Sequence, residues 1–557
     1  MSRIPSPLQW LFARVLARVV AQTRRLSQWL VERTPNPIAL TILWIGLGLA
    51  RLGFIDRRRA EKTTELAWPR IVTGIARMSK SAVDVALVGV AVGTSAVAGV
   101  GFATPFWGLA FTLGGGVAGG TIALVSQRYG AGAYDELGRA VRSSTFLAIL
   151  TTLPLTATFW LYPEQFISLL TGNERAIAEG ARYLQVVSLG IPFAALNLVG
   201  SRTLVGCDDA YTAMQVRAGG AVLNIILSAV FIFGLGWGVA GAALGTVLSN
   251  VAVSMAFALG LVWGRFPGMG AFPVVVSPFG TYVDREMIHD IVEIGTPVML
   301  RSLVWTFAEI PMLGILDIFG ENTVAGYVIA RRIWGIMNAP GWGFGLASSS
   351  LVGQELGKND EREAEAYGRD IIRFAVATYF LSAVLVAVFA EQIVVLFAAD
   401  PTSPEIPIAR DLVYAACFAI MFQGVAGAAA GPLDASGDTR VPFVSQFLGM
   451  FGGSIPLAYI GAVGLTIPSV TVPLVGVSTP GVVVPALGLW GLYLAFVAET
   501  AVPAAINYWR FRTEKWKQIS KAYRPDAATD DDPGRDTPGT APLDDAAAIS
   551  KRDDDDD

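Results

Sequence analysis

A chain of 557 residues of which 53% are hydrophobic and only 15% charged, with a mean hydropathy of +0.53, is too apolar for an ordinary soluble domain. Its net charge of −4, two cysteines (Cys207, Cys417) and single histidine (His289) exclude a disulfide framework and imply no metal or thiol chemistry. Apolar runs repeatedly reach the roughly 20 residues that a bilayer crossing needs, so the chain reads as a polytopic membrane protein; no nucleic-acid partner is expected.

In chain order, residues 1–60 form an extension. Arg14, Arg18, Arg24, Arg25 and Arg33 are scattered among Trp10, Leu11, Val19, Val20, Trp29 and Leu30, which predicts a basic amphipathic helix over 8–33 lying on an anionic leaflet. The apolar stretch 38–54 contains Arg51 and is followed by "DRRR" at 56–59. Basic flanks on both sides predict an interfacial or re-entrant segment rather than a crossing. An N-lobe at 64–262 then carries spans near 66–91, 95–123, 143–162, 183–205, 218–236 and 238–262. A linker at 263–290 leads to a C-lobe at 291–512, with spans near 291–318, 323–352, 372–395, 411–431, 442–463 and 486–510. Between the last two, the insertion 465–487 holds Pro468, Pro473, Pro480 and Pro485 among valines, a spacing that opposes helix and predicts an extended outer cap. Residues 525–557 hold twelve Asp and no aromatic residue and read as a disordered acidic tail. Acidic decoration with 34 Arg to 7 Lys suggests a salt-adapted, archaeal host.

The spans come as two copies. "VAG", seven residues, then "WG" starts at Val97 and again at Val324, and "LVxQxxG" starts at Leu124 and again at Leu351, both pairs 227 residues apart. Pro69 and Pro297 are 228 apart, Asp208 and Asp438 are 230 apart, and Gly238 and Gly488 are 250 apart. An even number of helices between equivalent positions gives both copies one topology. The expected fold is therefore all-α, with twelve transmembrane helices in two six-helix lobes related by a pseudo-two-fold axis along the membrane normal. Such a pair encloses a site suited to alternating access, and a monomer is expected to suffice. Arg128, Arg139, Arg142, Arg217, Arg265, Arg285, Lys358, Arg362, Arg369, Arg373, Arg440, Arg510, Arg512, Lys515 and Lys517 flank one side; Arg175, Arg182 and Arg410 flank the other. The rich side reads as cytoplasmic, which puts both ends of a plasma-membrane protein inside.

Ionisable groups within spans mark ion or substrate pathways. Asp84 in the first span and Glu309 in the seventh are the clearest; the duplication offset places Glu309 opposite Ala82, so each lobe carries a carboxylate at nearly the same depth. Lys80 lies one turn before Asp84, and Arg301 about two turns before Glu309, as candidate charge partners. Asn224 and Ser228 in the fifth span and Thr246 in the sixth could complete an oxygen-lined pocket with Asp84. Glu499 in the twelfth span reads as a further buried acid, with a solvated one near the helix end as the alternative. Arg202, Arg331 and Arg332 read as snorkelling or capping side chains. There is no "GxxxxGK", zinc spacing or paired "DxxxD", so neither an enzyme nor a cofactor is expected.

The segments "SAVDVALVG" (81–89), "LVSQRYGAG" (124–132), "VLNIILSAVFIFGLGWGVAGAALGT" (222–246), "LVGQELGKND" (351–360) and "ASGDTRVP" (435–442) resemble those of multidrug and toxic-compound extrusion (MATE) transporters, especially the archaeal and DNA-damage-inducible-like branch, over roughly 64–512. The resemblance implies an exporter of amphipathic, often cationic, compounds driven by H⁺ or Na⁺. It also implies a cation site at Asp84, Asn224 and Thr246, with Ser228 where that branch has a second Asp; Glu309 matches the coupling Glu of other branches. With Ser228 neutral and Lys80 nearby, a desolvated Na⁺ would be poorly compensated, which favours H⁺. The alternatives are a lipid-linked oligosaccharide flippase, supported by Arg301, Arg331 and Arg332, and a nontransporting receptor or scaffold.

Overall fold

The computed structural model describes residues 36–397, 403–467, 471–472, 477–478 and 482–525. Helix α1 (Pro37–Arg51) precedes the N-lobe, which comprises α2 (Arg57–Val92), α3 (Thr94–Gly130), α4 (Tyr134–Leu161), the short α5 (Pro163–Ser168), α6 (Glu174–Ser188), α7 (Ile191–Gly206), α8 (Ala210–Ala229) running into a π turn at Val230–Gly234, and α9 (Gly238–Trp263). The C-lobe repeats the order. It has α10 (Arg285–Ile318), α11 (Glu321–Met337), α12 (Ala339–Gly357), α13 (Glu361–Val388), the short α14 (Ala390–Val395), α15 (Glu405–Ser436) and α16 (Arg440–Phe447). A π turn at Leu448–Ser454, α17 (Ile455–Val463), α18 (Leu489–Arg512) and α19 (Lys515–Ser520) complete it.

Among the described residues, nine helical units are long and apolar enough to cross a membrane, and the α6/α7 pair, bent by 49°, makes a tenth. The two units that fill the remaining places, α2 and α11/α12, carry Arg70, Arg77, Lys80 and Asp84, or Arg331 and Arg332, within their length. The duplication reaches the helix caps. Asp56 and Asp284 sit at the same offset as Pro69 and Pro297; the first accepts from the Arg59 N–H at 3.1 Å and the second from the Met287 N–H at 3.2 Å. Each satisfies an otherwise orphaned donor of a first-turn amide. Both lobes thus start a turn or two before the expected boundaries of 64 and 291.

The repeated "LVxQxxG" motif joins the lobes at the end rich in arginine. Gln127 Nε2 donates to the Ala435 carbonyl at 2.6 Å, and its repeat partner Gln354 Nε2 donates to the Gly206 carbonyl at 3.3 Å. The closing glycines allow this approach: a Cβ on Gly130 would overlap the Gln354 backbone, and one on Gly357 would overlap the Gln127 backbone. Ion pairs from Arg59 to Asp370 (2.6 Å) and to Glu363 (2.9 Å) tie the lobes at the same end. The segment after α18 adds to it, since Arg128 Nη1 donates to the Tyr523 carbonyl at 3.3 Å. Arg128, read from sequence as a flanking cation, is therefore buried.

Helix α1 is a short apolar helix of 15 residues. It packs against α2 and α13, with Gly46 close to Ala60 and Phe374. In the insertion, Leu465–Ile467 pairs antiparallel with Val482–Val484, and Thr471–Val472 with Val477–Ser478, the extended form that its prolines favour. The amphipathic segment 8–33 and the acidic tail beyond residue 525 lie outside the described residues.

Candidate functional site

Inside the N-lobe is a cavity of about 460 Å³ lined by α2, α3, α6, α7, α8 and α9. Asp84 faces it from α2 with 9% exposure. Asn224 on α8 is fully buried. With its amide nitrogen turned toward the carboxylate, it donates to both Asp84 oxygens at 3.1 Å, while its oxygen accepts from the Thr246 hydroxyl at 3.0 Å and the Thr246 N–H at 3.1 Å. This orientation satisfies donors and acceptors on both sides, the basis on which an amide is assigned. Ser228, one turn beyond Asn224, lies beside the same carboxylate, and its buried hydroxyl makes no full hydrogen bond there. Lys80 Nζ is 3.9 Å from Asp84 Oδ2, near the limit of an ion pair and outside hydrogen-bond range. Sequence reasoning did not single out Tyr183 on α6, which lines the cavity within reach of Asp84 and Thr246.

Asp84, Asn224, Ser228, Thr246 and Lys80 therefore come together, as their helical spacing suggested. Glu309 does not join them: it is exposed on α10, close to Tyr327 in the core of its own C-lobe. Arg301 is not its partner. Its guanidinium makes two bonds to the Asp434 carboxylate, at 3.1 and 2.8 Å. Glu499 is the buried acid of its two readings. It is 1% exposed and receives two hydrogen bonds from Arg331, at 2.6 and 2.9 Å. Arg331 also donates to the Tyr327 hydroxyl at 2.8 Å and lies over the rings of Trp305, Tyr327, Trp334 and Phe496. It is a caged, fully bonded cation rather than a snorkelling one, and Arg332 is exposed beside it.

Two further arginines move from their expected places. Arg217, expected to flank the membrane, lines the N-lobe cavity, and Arg202, expected to cap a helix, lines a cleft between the lobes. That cleft, about 450 Å³, is walled by α2, α3 and α7 on one side and by α10, α11, α12, α15, α16 and α18 on the other. Arg70 and Arg77 face the same region. A signal for them was present, because Arg70, Arg77 and Asp84 are seven apart and so share one face of α2. At the arginine-rich end, the repeat-related Asp208 and Asp438 occupy turns between helices. Burial raises both carboxyls, opposed by Lys62 at 3.1 Å and by Arg510 at 2.5 Å.

Known proteins agree with this architecture. The family model described as MatE matches twice, over residues 69–230 and 297–460, one match per lobe. The multidrug resistance protein PmpM of Pseudomonas aeruginosa is 27% identical over 428 residues, covering 73% of this chain and 85% of that protein. The probable multidrug resistance protein YoeA of Bacillus subtilis is 24% identical, covering 70% and 84%. A solved MOP superfamily transporter from Pyrococcus furiosus, reported to have a binding pocket of reverse polarity that suggests a different function, superposes with a TM-score of 0.70 at 22% identity. It covers 84% of this chain and 97% of that one, a likeness of fold. Two copies of one helical unit, each matched by the same family model, make this polytopic membrane protein a member of the MATE family of multidrug transporters.

Proposed function

We propose that the protein is a proton-coupled antiporter of the plasma membrane that exports amphipathic small molecules by alternating access of its two lobes, with its termini in the cytoplasm. The observation that carries this reading is a single carboxylate, Asp84, held by Asn224 in a membrane-embedded cavity next to the interlobe cleft. Intramembrane carboxylates of this kind serve as ion or proton sites. The choice of H⁺ over Na⁺ follows from charge. A desolvated Na⁺ at Asp84, Asn224 and Thr246 would meet one carboxylate and neutral oxygens, with Lys80 at 3.9 Å and Arg77 and Arg217 on the same cavity wall. A proton needs only the carboxylate itself.

The arginine-rich end, cytoplasmic by the positive-inside rule, is where the Gln127 and Gln354 contacts hold the lobes together, so that access runs from the other side in this arrangement. Among the flippase's supporting residues, Arg301 and Arg331 are engaged by Asp434 and Glu499. In proteoliposomes, export of ethidium or carboxyfluorescein under an imposed pH gradient should fall by about two orders of magnitude or more in Asp84→Asn, the scale of losing an essential proton carrier. Export by the unmodified protein that requires a Na⁺ gradient at fixed pH would refute the proton assignment.

A further inference from the structure

Four arginines lie where the N-lobe cavity meets the interlobe cleft, and none of them pairs with Asp84, whose cation neighbour is Lys80. Arg70 and Arg202 line the cleft, while Arg77 and Arg217 line the cavity. Arg77 bridges the two, its guanidinium 5.0 Å from the ring centre of Phe111 in the N-lobe and 5.7 Å from that of Trp342 in the C-lobe. Like charges thus gather where the two walls adjoin, Arg70 near Arg77, Arg202 and Arg217, and Arg217 near Arg77 and Arg202. Among the described residues none of them forms an ion pair or a hydrogen bond, and Nη1 of both Arg202 and Arg217 is wholly buried without an acceptor.

The contrast with Arg301 and Arg331, each held by a carboxylate through two bonds, is the point. Arg70, Arg202 and Arg217 are half-buried and Arg77 is exposed on the cavity wall; withdrawing cations from water without partners is costly, and gathering them adds repulsion. A cluster of this kind is compensated when the missing negative charge arrives with a ligand. The guanidinium fork matches phosphate oxygens in two-point fashion, and Phe111 and Trp342 beside Arg77 offer an apolar surface for an organic body. Asp84 does not occupy this position. It lies seven residues, about 10 Å, further along α2 than Arg77, held by Asn224.

We propose that the compound carried through the cleft is an amphipathic organic phosphate whose head group is held by Arg70, Arg77, Arg202 and Arg217. This deepens the export reading and rests on it for the word carried; binding itself is independent of coupling. The head group could be presented by a soluble phosphate ester or by a lipid phosphate, and the test separates these sources.

The full chain in nanodiscs of zwitterionic lipid is titrated with phenyl phosphate, with hexadecyl phosphate added to the lipid, and with phenyltrimethylammonium, following tryptophan fluorescence and the melting temperature. Saturable binding with thermal stabilisation by phenyl phosphate supports a soluble substrate, and by hexadecyl phosphate alone a lipid-borne one. Arg202→Gln and Arg217→Gln should each weaken that binding by about tenfold or more. Without ligand, both variants should melt above the parent, because a half-buried, unpaired charge has been removed; a misfolded variant would melt lower. Saturable binding of the ammonium but of neither phosphate, or phosphate affinity unchanged in both variants, overturns the proposal. All readings are taken with no gradient imposed, so loss of coupling in Asp84→Asn stands or falls separately.

Discussion

The two lobes share one topology and differ in what fills them. In the N-lobe, α2 and α9 place Asp84 and Thr246 on a cavity of about 460 Å³, with the buried Asn224 of α8 bonded to both. At the offsets that relate the prolines, the turn aspartates and the last helices, their counterparts in the C-lobe are Met312, Ser454 and Phe496, all buried. In the C-lobe, Glu499 accepts two bonds from Arg331, which Phe496 faces at 5.0 Å, while Glu309 and Arg332 are exposed. Duplication supplied the scaffold twice, including the caps, the glycine contacts and the glutamine bonds. A carboxylate that lines a cavity and is bonded by an amide is found on one side, and a closed ion pair on the other. A bonded pair within a packed aromatic cage is a poor carrier, because taking its proton or ion leaves the partner charge stranded.

The largest effect that tests this contrast comes from opening the closed pair. Glu499→Gln strands Arg331 and should lower stability by about 3–5 kcal/mol, read as a fall in the melting temperature in detergent. The double variant Arg331→Met with Glu499→Met, which removes both charges, should recover most of that loss. A Glu499→Gln protein that melts like the parent but exports without responding to a gradient would break the comparison, since the C-lobe pair would then be part of the coupling.

Next in size are the contacts that the lobes share. A Cβ on Gly357 meets the backbone of Gln127, and one on Gly130 meets that of Gln354. Ala at either position should therefore part the arginine-rich ends, at about 1–3 kcal/mol each, the usual scale of overpacking. Fluorescent labels across that end should report a shift toward separated lobes of similar size for both variants. Strongly unequal shifts would show that the scaffold, too, is asymmetric.

How much of this could be read from sequence depended on whether the relevant partners were close along the chain. The duplicated motifs exposed two lobes, and helical spacing brought Lys80 to Asp84 and Ser228 to Asn224, because residues four apart share a face. The Arg331–Glu499 and Arg301–Asp434 pairs join residues 168 and 133 positions apart; no periodicity links them, so the acid at 499 had no visible partner. The arginine cluster was half legible. Arg70 and Arg77 share the Asp84 face of α2, but Arg202 and Arg217 sit at helix positions where a membrane flank and a cavity wall have the same composition. Which it is depends on the 49° bend between α6 and α7 and on how α8 packs against α2.

A smaller effect sharpens the ion assignment within the N-lobe. Ser228→Asp combined with Lys80→Ala adds a carboxylate beside Asp84 and removes the ammonium at 3.9 Å. Two carboxylates with the Asn224 and Thr246 oxygens resemble a hard-cation site more than a proton site. Export should then become activated by Na⁺, with half-activation at a concentration at least about tenfold below that of the parent, a change of about 1.4 kcal/mol. No gain in Na⁺ response would mean that the residue at 228 does not select the ion.

The smallest expected effect is at Glu309, and it bears most directly on whether the lobes divide the work. From sequence the two carboxylates looked equivalent, at nearly the same depth of each lobe's first helix. In the fold, Asp84 is 9% exposed and bonded to Asn224, while Glu309 is exposed and forms no ion pair among the described residues. With no bond to hold it, Glu309 lacks the contacts that would tie its charge to one arrangement of the lobes. Glu309→Gln should accordingly leave gradient-driven export within about twofold of the parent, the range of surface substitutions away from special features. Measured beside Asp84→Asn in the same vesicles, the two variants give a direct ratio. Equal losses would return coupling to both lobes, and a larger loss at Glu309 would move it to the C-lobe, where only a different arrangement of α10 could bring that side chain into a closed cavity.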